Sequence, residues 1–265
     1  MITATPSDAP TGRQQSMIFG PFGVGKTSMA ATASEDAPAH LSCVVQAPPA
    51  GTALATLRDM AWIGFDRNAL AGFASIGLRV PNYYDLSNVA PAKVLTELLE
   101  VLAKVRTDKL PHVVVDTLTA FDTQLQISHR LKATVNKMAF YDAVLSDHMR
   151  AYDALRQTDA SIQLLAHVKA AFDADDAAKL KRQMMEIPDY AAQVTGQAGG
   201  RYKADCDNIL MLRRKRMVAA GKTLTKVIAL TQPSGGAECK VRGGASLPDE
   251  IDADWRVIRA ALEAR

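Results

Sequence analysis

Residues 20–27 of the chain read Gly-Pro-Phe-Gly-Val-Gly-Lys-Thr and fit the phosphate-binding pattern G-x-x-x-x-G-K-[ST]. This pattern is informative only where a buried strand leads into it and a helix follows it. The short apolar run at 16–19 meets the first condition, and the small residues at 28–33 meet the second. The stretch therefore predicts a strand, a phosphate-binding loop and a helix, the first unit of a P-loop fold.

The residue types in this loop suit a nucleotide held with magnesium. Glycines let successive backbone N–H groups turn inward around a phosphate, and the positive end of the helix dipole adds to the attraction. Lys26 can reach the β- and γ-phosphates, while the Thr27 hydroxyl can coordinate Mg²⁺. The alternative is an ordinary glycine-rich turn. The predicted contacts with the nucleotide come from Gly20, Pro21, Phe22, Gly23, Val24, Gly25, Lys26, Thr27 and Ser28.

Composition predicts one globular domain. Of the 265 residues, 48% are hydrophobic and 22% are charged, which suffices for a single large core. We expect this domain to cover 15–265 and the small, polar residues 1–14 to form a flexible arm. The formal charge of +3 is too small to indicate a nucleic-acid partner by itself.

Cysteine spacing and hydropathy predict a cytoplasmic protein. Cys43, Cys206 and Cys239 are far apart and form no C-x-x-C pair, so neither a zinc site nor a disulfide framework is indicated. Buried free thiols are typical of a reducing compartment. No apolar run approaches the roughly 18 residues of a membrane span, and the chain begins without the layout of a signal peptide. We therefore expect no membrane contact.

Strand and helix patterns alternate along the chain, which predicts an α/β fold with a mainly parallel sheet flanked by helices. Ligands of such sheets bind beyond the carboxyl ends of the strands. Gln46, Asp116 and His167 each follow a predicted strand, so we expect them to converge with the phosphate-binding loop. The predicted strands are 41–45, 78–80, 112–116, 161–166, 207–213 and 225–231, and the predicted helices are 91–105, 139–157 and 254–265.

Asp116 supplies the second half of the predicted nucleotide site. It ends the apolar run at 113–115, which is the form of a Walker B strand. A carboxylate at the end of a buried strand can hold Mg²⁺, directly or through water, opposite the Thr27 hydroxyl. The alternative is an aspartate that only caps the next element, since aspartates are common at strand ends.

With these motifs in place, the chain resembles the RecA-like ATPases, and among them the phage-encoded P-loop proteins of the single-strand annealing and recombination type. The likeness covers about 14–262. The motifs that carry it are GPFGVGKT at 20–27, VVVDTLTAF at 113–121, LLAHVK at 164–169 and ECKVRGGASLPDEI at 238–251. It implies a RecA-like fold with a C-terminal β-hairpin, and in such a phage protein the cytoplasm is that of a bacterial host.

The resemblance also implies roles for individual residues. His167 occupies the position of the polar sensor that feels the γ-phosphate, although a locally hydrogen-bonded histidine is the alternative. Lys240 and Arg242 match the pair that RecA-like and KaiC-like subunits insert into a neighbour's nucleotide site, where a cation stabilises phosphoryl transfer. Their alternative is an exposed strand face, since residues two apart on a strand share a side.

One position departs from the family pattern. RecA-like enzymes place a glutamate about twenty residues past the P-loop lysine to orient the attacking water, and here that position falls on Gln46. Glutamine can position water but is a poor proton acceptor. Hydrolysis is therefore expected to be slow unless a nearby acid takes this role, and the catalytic base stays unassigned.

Two basic regions are candidates for single-stranded DNA. In RecA-like proteins the loop after the sensor strand binds DNA, and 168–205 takes that place; its acidic residues leave a solvated loop as the alternative. A basic turn at 213–216 is the second candidate, or else a solvated hairpin tip. The cations are Lys169, Lys179, Lys181, Arg182, Arg201, Lys203, Arg213, Arg214, Lys215 and Arg216, with Phe172, Tyr190 and Tyr202 available to stack on bases.

Together these features predict a Mg-ATP-dependent RecA-like ATPase that binds single-stranded DNA, assembles head to tail and promotes phage-type recombination. A single-strand DNA-binding protein is a further candidate partner. Two alternatives remain open. One is a regulatory or assembly ATPase of the KaiC or helicase-loader kind that acts on a protein partner. The other is a small-molecule kinase, which would need an acceptor pocket and a lid with clamping arginines.

Overall fold

The fold is a twisted, mostly parallel β-sheet with helices on both faces. In a computed structural model, the strands are β1 Gln15–Gly20, β2 Ala55–Thr56, β3 Met60–Gly64, β4 Leu78–Arg79, β5 Asn82–Asp85, β6 His112–Asp116, β7 Ser161–Ala170, β8 Tyr190–Ala192, β9 Asn208–Ala219, β10 Lys222–Leu230, β11 Lys240–Val241 and β12 Glu250–Asp252. The helices are α1 Lys26–Ala31, α2 Ala69–Ser75, α3 Val94–Asp108, α4 Leu118–Arg130, α5 Lys137–Arg156, α6 Gly196–Asp205 and α7 Trp255–Glu263. The structure describes residues 13–39, 41, 53–66, 69–130, 137–170, 190–194, 196–219, 222–233, 237–242 and 247–264.

The main sheet has the strand order β12-β10-β9-β1-β7-β6-β3-β5. The six strands from β9 to β5 run parallel, while β10 is antiparallel to β9 and to β12. β8 pairs with the end of β7 and β11 with the start of β9, both antiparallel, and β2 and β4 form a separate parallel pair. Because β1, β7, β6 and β3 lie side by side and run in the same direction, the loops that follow them meet at a single edge, called here the carboxyl edge.

Two apolar layers hold the helices to the sheet. On one face, α3, α4, α5 and α6 pack against alternate residues of the strands, with Phe121 and Tyr202 among the fully buried side chains. On the other face, α1, α2 and α7 cover the remaining strand residues, with Trp62 and Ile258 at the centre. The central strands are buried on both faces, which is why they read as continuous apolar runs instead of alternating ones. Within the ranges described, no helix is long and apolar enough to cross a membrane.

Several predicted elements are confirmed. The strand at 112–116 is found with the same bounds, and the strand predicted at 161–166 extends to Ala170. The helix predicted at 91–105 begins as the 3-10 turn Pro91–Lys93 and continues as α3. The C-terminal helix is α7, and the Asp254 carboxylate caps it by accepting a hydrogen bond from the backbone N–H of Arg256.

The predicted loop at 168–205 is wrong at both ends. The chain continues as β7, returns as β8 and then forms α6, while 171–189 lie outside the described residues. Helix α6 forms despite its glycines because Ala198 and Tyr202 are buried against the core. Gly199 approaches the Val194 carbonyl so closely that an added Cβ would lie 3.1 Å from its oxygen. Tertiary packing here overrides a poor helix propensity.

The predicted basic turn at 213–216 is also wrong, because these residues lie inside a strand. β9 and β10 pair continuously from Leu230↔Met211 to Lys222↔Ala219. The like charges are tolerated because they alternate between the two faces of the ribbon and because Glu250 on β12 forms ion pairs with two of them, Arg213 and Lys215. Of the strand predicted at 41–45, Leu41 is buried and in no strand, and the other four residues lie outside the described part.

The flexible arm predicted at 1–14 does not include its last two residues, Arg13 and Gln14. Arg13 forms an ion pair with Asp159, and the Gln14 carbonyl accepts a hydrogen bond of 2.9 Å from the Ile162 N–H. These two residues are thus already joined to the sheet, and the rest of the arm lies outside the described residues.

Candidate functional site

The glycine-rich loop that was predicted to bind phosphate lies at the carboxyl edge between β1 and α1. Gly23 and Gly25 have φ angles of 66° and 113°, in the left-handed region that only glycine adopts without strain. A Cβ on Gly25 would also lie 3.3 Å from the Val227 side chain. The glycines of the motif are therefore required by the backbone path of the loop.

Lys26 lies inside this loop and is almost fully buried. Its ammonium donates hydrogen bonds of 3.0 Å to the Gly20 carbonyl and 3.1 Å to the Pro21 carbonyl. Burial lowers the pKa of Lys26, and the nearby carboxylates of Asp116 and Asp66 oppose that shift. The partners of this ammonium are two main-chain carbonyls and a ring nitrogen of His167, all uncharged, so a phosphate at this position would be strongly attracted to it.

Asp116 ends β6 beside the loop, as predicted, and its carboxylate is buried. The indole N–H of Trp62 donates a hydrogen bond of 3.2 Å to Oδ2. Burial raises the pKa of Asp116 to about 6, helped by the neighbouring Asp66 and opposed by the Trp62 hydrogen bond and by Lys26. A metal ion or another cation would stabilise the ionised form of such a buried carboxylate at the carboxyl edge. The peptide bond that follows Asp116 is cis.

Asp66 is a further acid at this edge that sequence reasoning missed. It follows β3, the strand beside β6. Phe65, which lies between the end of β3 and Asp66, donates a backbone hydrogen bond of 2.6 Å to the Asp116 carbonyl. The Thr117 hydroxyl donates to Asp66 Oδ2 over 3.3 Å. The signal was present in the sequence, since the apolar run at 60–65 ends in an aspartate just as the run at 112–115 does. Gln46, the predicted residue, lies outside the described part of the chain.

His167 follows the buried part of β7 and faces the loop. Its ring stacks on Phe22 with centroids 4.3 Å apart, and Nδ1 lies 3.5 Å from the Lys26 ammonium. On its other side, Nε2 lies 3.9 Å from the Asp66 carboxylate. Burial and the Lys26 charge lower the pKa of His167, and the Asp66 carboxylate opposes that shift, so the surroundings favour the neutral imidazole. The predicted sensor residue is therefore within reach of the same lysine that would meet a phosphate.

A ring of hydrogen bonds ties this histidine to the start of α4. The Thr119 hydroxyl accepts a hydrogen bond of 2.9 Å from the His167 N–H and donates one of 2.9 Å to the Gln193 carbonyl. The Gln193 N–H in turn donates a hydrogen bond of 2.8 Å to the His167 carbonyl. Thr119 lies three residues after Asp116, so its hydroxyl joins the carboxyl edge of the sheet to both stems of the β7–β8 hairpin.

The oxygen ligands at this edge fit magnesium held together with a nucleotide. Across the described ranges, no group of three or more His, Cys, Asp and Glu side chains could hold a metal ion by itself. Mg²⁺ in nucleotide enzymes typically takes one or two protein oxygens and completes its shell with phosphate oxygens and water. Thr27 at the first turn of α1 and Asp116 at the end of β6 supply ligands of that kind.

The predicted trans cations lie at the opposite edge of the sheet, called here the amino edge. β11 pairs with the start of β9, whose Asn208 is beside Ser16 at the start of β1. The Lys240 ammonium donates to the carbonyls of Lys203 at 2.8 Å and Ala204 at 3.4 Å, so it caps the end of α6.

Arg242 is freer than Lys240. Its side chain is 78% exposed and donates a hydrogen bond of 2.6 Å to Asp207. Both residues are thus remote from the P-loop of their own chain, and Arg242 is the more available of the two to another subunit.

Many of the predicted DNA-binding cations are engaged within the chain. Arg213 and Lys215 both pair with Glu250, and Lys203 pairs with Glu238. Tyr202, which was expected to stack on bases, is fully buried and bonded to His148.

The remaining predicted cations differ in their surroundings. Arg214 donates to the Gly23 carbonyl, so it lies against the P-loop and not at a hairpin tip. Arg201 is exposed on α6, and Lys169 lies in the paired stem of the β7–β8 hairpin. Lys179, Lys181 and Arg182 lie outside the described residues.

Comparison with known proteins adds little to this geometry. No protein-family model and no curated protein sequence matches the chain. Among solved structures, an ATPase from the type III secretion system of pathogenic bacteria is similar at a TM-score of 0.42 and 12% identity, over 76% of this chain and 52% of that one. The chain thus spans about half the length of that ATPase. A likeness at this level carries no argument about function, which rests on the residues themselves.

Proposed function

We propose that the chain is a Mg-ATP-dependent ATPase of RecA-like type whose nucleotide state controls the binding of single-stranded DNA in phage-type recombination. The observation that carries the nucleotide part is the convergence of Lys26, Asp116, Asp66 and His167 on one glycine-rich loop at the carboxyl edge. Three of these four were predicted from sequence because they follow strands of a P-loop pattern. Their spatial agreement is what an ATPase site requires.

In this proposal, each side chain has a separate task in hydrolysis. Lys26 leaves the Gly20 and Pro21 carbonyls and neutralises the β- and γ-phosphates. Asp66, 40% exposed and hydrogen-bonded by Thr117, orients the attacking water and accepts its proton. Bound Mg²⁺ would neutralise charge on the phosphate oxygens from a position beside Thr27 and Asp116. Asp66 thereby takes the role that was left open when Gln46 was aligned with the family glutamate.

Within one chain, His167 lies near the phosphate position in surroundings that favour its neutral form. A second subunit would supply a further positive charge to this site. Arg242 lies at the amino edge, which faces away from the P-loop of its own chain. In a head-to-tail assembly the amino edge of one subunit faces the carboxyl edge of the next. We assign to Arg242 the role of the trans cation, and to Lys240 the role of holding the strand that carries it.

The proposed DNA contact centres on the β7–β8 hairpin. Its stems are held by the Thr119 ring beside His167, so a change at the γ-phosphate has a short route to the hairpin. The segment between the stems contains Lys179, Lys181 and Arg182, and Arg201 is exposed on the helix that follows. Cations in such a segment suit sequence-independent binding of a phosphate backbone. The recombination role itself rests on the resemblance of the motifs to that branch of RecA-like proteins.

One observation favours a second candidate, an ATPase that switches a protein partner in the manner of KaiC or helicase loaders. Glu250 pairs with both Arg213 and Lys215, and Glu238 pairs with Lys203, so two carboxylates offset two of the three positive charges that were expected to contact DNA. Cations that are paired with carboxylates of the same chain contribute less to binding a phosphate backbone, so these ion pairs weigh against DNA and toward a protein-directed switch.

The experiment that separates the two is ATP hydrolysis with and without single-stranded DNA. Lys26→Ala serves as the inactive control and Arg242→Ala as the test of action in trans. We expect DNA to raise the Lys26-dependent rate and Arg242→Ala to abolish the rise. If DNA changes neither the rate nor the ATP-dependent binding, the DNA role is wrong and the protein-directed switch takes its place.

A further inference from the structure

The β9–β10 hairpin projects beyond the carboxyl edge of the sheet. β1 pairs with β9 only as far as Phe19↔Met211, and β12 pairs with β10 only over 228–230. Past those points the two strands of the hairpin pair only with each other within the described residues. At about 3.3 Å per residue, Val218 lies roughly 20 Å beyond Leu212, the residue next to Gly20 at the end of β1.

The end of this hairpin is apolar and exposed. Val218 is 77% exposed, Met217 42% and Leu224 38%, and Met217 and Leu224 face each other across the ribbon. Arg216, two residues before Val218 in the same strand, is exposed and makes no ion pair with the residues described here. Met217 and Leu224 share one face of the ribbon and Val218 lies on the other, so the end of the hairpin exposes apolar side chains on both faces, which marks a contact surface. We call residues 216–218 with Leu224 the hairpin tip.

A cavity of about 710 Å³ opens at the amino edge, at the opposite end of the strands from the hairpin. It lies among the starts of β1, β6 and β7 and the last turns of α7. Pro111, Trp255 and Leu262 give it apolar walls. We call it the amino-edge cavity. The hairpin tip and this cavity lie at opposite ends of the same sheet, so they cannot meet within one chain.

Carboxylates outnumber guanidinium groups on the cavity wall, with Glu35, Asp159 and Glu263 against Arg13 and Arg259. Glu35 and Glu263 are exposed there and form no ion pair with the described residues. Arg13 pairs with Asp159, while Arg259 donates to the neutral Ala33 carbonyl over 3.0 Å and keeps its charge, so the wall carries a net charge of −1. A cationic, apolar segment is therefore the ligand that this cavity fits.

We propose that the hairpin tip of one copy of the chain inserts into the amino-edge cavity of the next copy. Val218 and Met217 would bury against Trp255 and Leu262, and Arg216 would face the free acids. Because donor and receptor surfaces differ, the contact repeats head to tail. The inference deepens the proposed head-to-tail assembly and rests on it, since the contact would join the carboxyl-edge hairpin of one copy to the amino edge of the next, the edge on which Arg242 also lies.

Sedimentation velocity at several protein concentrations, with Mg²⁺ and a non-hydrolysable ATP analogue but without DNA, tests the proposal. Val218→Glu disables the tip and Leu262→Glu the cavity. Val257→Glu is the matched control, since Val257 is exposed on the same helix but outside the cavity. Glu263→Arg is a second cavity variant, chosen because its exposed position tolerates substitution. Far-UV circular dichroism verifies that each variant is folded.

We expect the wild type and Val257→Glu to form assemblies that grow with concentration, while the tip and cavity variants stay monomeric. An equimolar mixture of Val218→Glu with a cavity variant should form dimers and no larger species, because one intact tip and one intact cavity remain. The proposal is overturned if the wild type is monomeric, if either disabling variant assembles normally, or if the mixture stays monomeric. Binding of a fluorescent ATP analogue to the same samples tests the nucleotide site separately, since none of these residues touches the P-loop.

A loss of single-stranded DNA affinity in Val218→Glu, with normal sedimentation, would instead show that the tip contacts nucleic acid. That result would also overturn the proposed contact between copies.

Discussion

The indole N–H of Trp62 donates a hydrogen bond of 3.2 Å to the buried carboxylate of Asp116. Trp62 and Asp116 lie on neighbouring strands, and the bond partly compensates a burial that raises the pKa of Asp116 to about 6. The bond thus favours the charged form of Asp116, the form that can hold a metal ion.

Replacing Trp62 should shift the pH dependence of nucleotide binding. Trp62→Phe removes the donor, so the pKa of Asp116 should rise further and Mg-dependent binding should be lost at a higher pH than in the wild type. Phe73→Leu is the control, because Phe73 packs edge-on against Trp62 without reaching Asp116. Titration of a fluorescent ATP analogue across pH measures both midpoints. Equal midpoints in Trp62→Phe and the control would contradict the role of the hydrogen bond.

Asp116→Asn should stabilise the nucleotide-free protein at neutral pH. A carboxyl whose pKa is raised by folding holds a proton that the unfolded chain releases, so wild-type stability falls as pH rises from about 4 to about 6. Above that range the asparagine variant should be more stable by up to about 3 kcal/mol, and below it the difference should vanish. Urea unfolding at the two pH values measures this. A variant that is less stable at neutral pH would show that the carboxylate is well solvated.

Thr119 should couple nucleotide binding to DNA binding. Thr119→Val keeps the shape but breaks the ring with His167 and Gln193, at a stability cost of about 1–3 kcal/mol. We expect ATP affinity to be unchanged and the ATP dependence of single-stranded DNA affinity to be lost, as measured by fluorescence anisotropy. Thr119→Ser retains the hydroxyl and should behave like the wild type. If the valine variant keeps its ATP dependence, the coupling takes another route.

Tyr202 should matter for stability and not for DNA. Its hydroxyl lies 3.2 Å from both the ring and the carbonyl oxygen of His148 in the core, so Tyr202→Phe should lower the free energy of unfolding by about 1–3 kcal/mol. Single-stranded DNA affinity should not change. Arg201→Ala, one residue away on the exposed face of α6, should show the reverse pattern. A DNA defect in Tyr202→Phe with intact folding would restore the stacking role first expected from the sequence.

The parts of the site that sequence predicted share one property, which is that local pattern determines them. The P-loop spacing, the apolar run ending at Asp116 and the run ending before His167 all follow from strand burial and turn chemistry over a few residues. Asp66 carried the same local signal. The run at 60–65 is not among the predicted strands, because the strand predicted at 41–45 puts the position of the family glutamate at Gln46.

The parts that sequence could not predict depend on contacts between distant residues. The cations at 213–216 resemble a solvated turn until Glu250, from a strand more than thirty residues later, is placed beside them. Likewise, the glycines of α6 resemble a loop until Tyr202 is buried against α5. Local propensity is weak at such positions, and long-range pairing decides their structure.

Single-turnover ATP hydrolysis by Asp66→Asn tests the account most directly, because Asp66 was found from the geometry alone. Asparagine keeps the size of the side chain but cannot accept a proton from water, so the rate should fall by about 10²–10⁴ while Mg-ATP binding is retained. Asp85→Asn, the same change at the exposed end of the neighbouring strand β5, is the control and should leave the rate unchanged. A wild-type rate in Asp66→Asn would contradict the role of Asp66 as the group that orients the attacking water and accepts its proton.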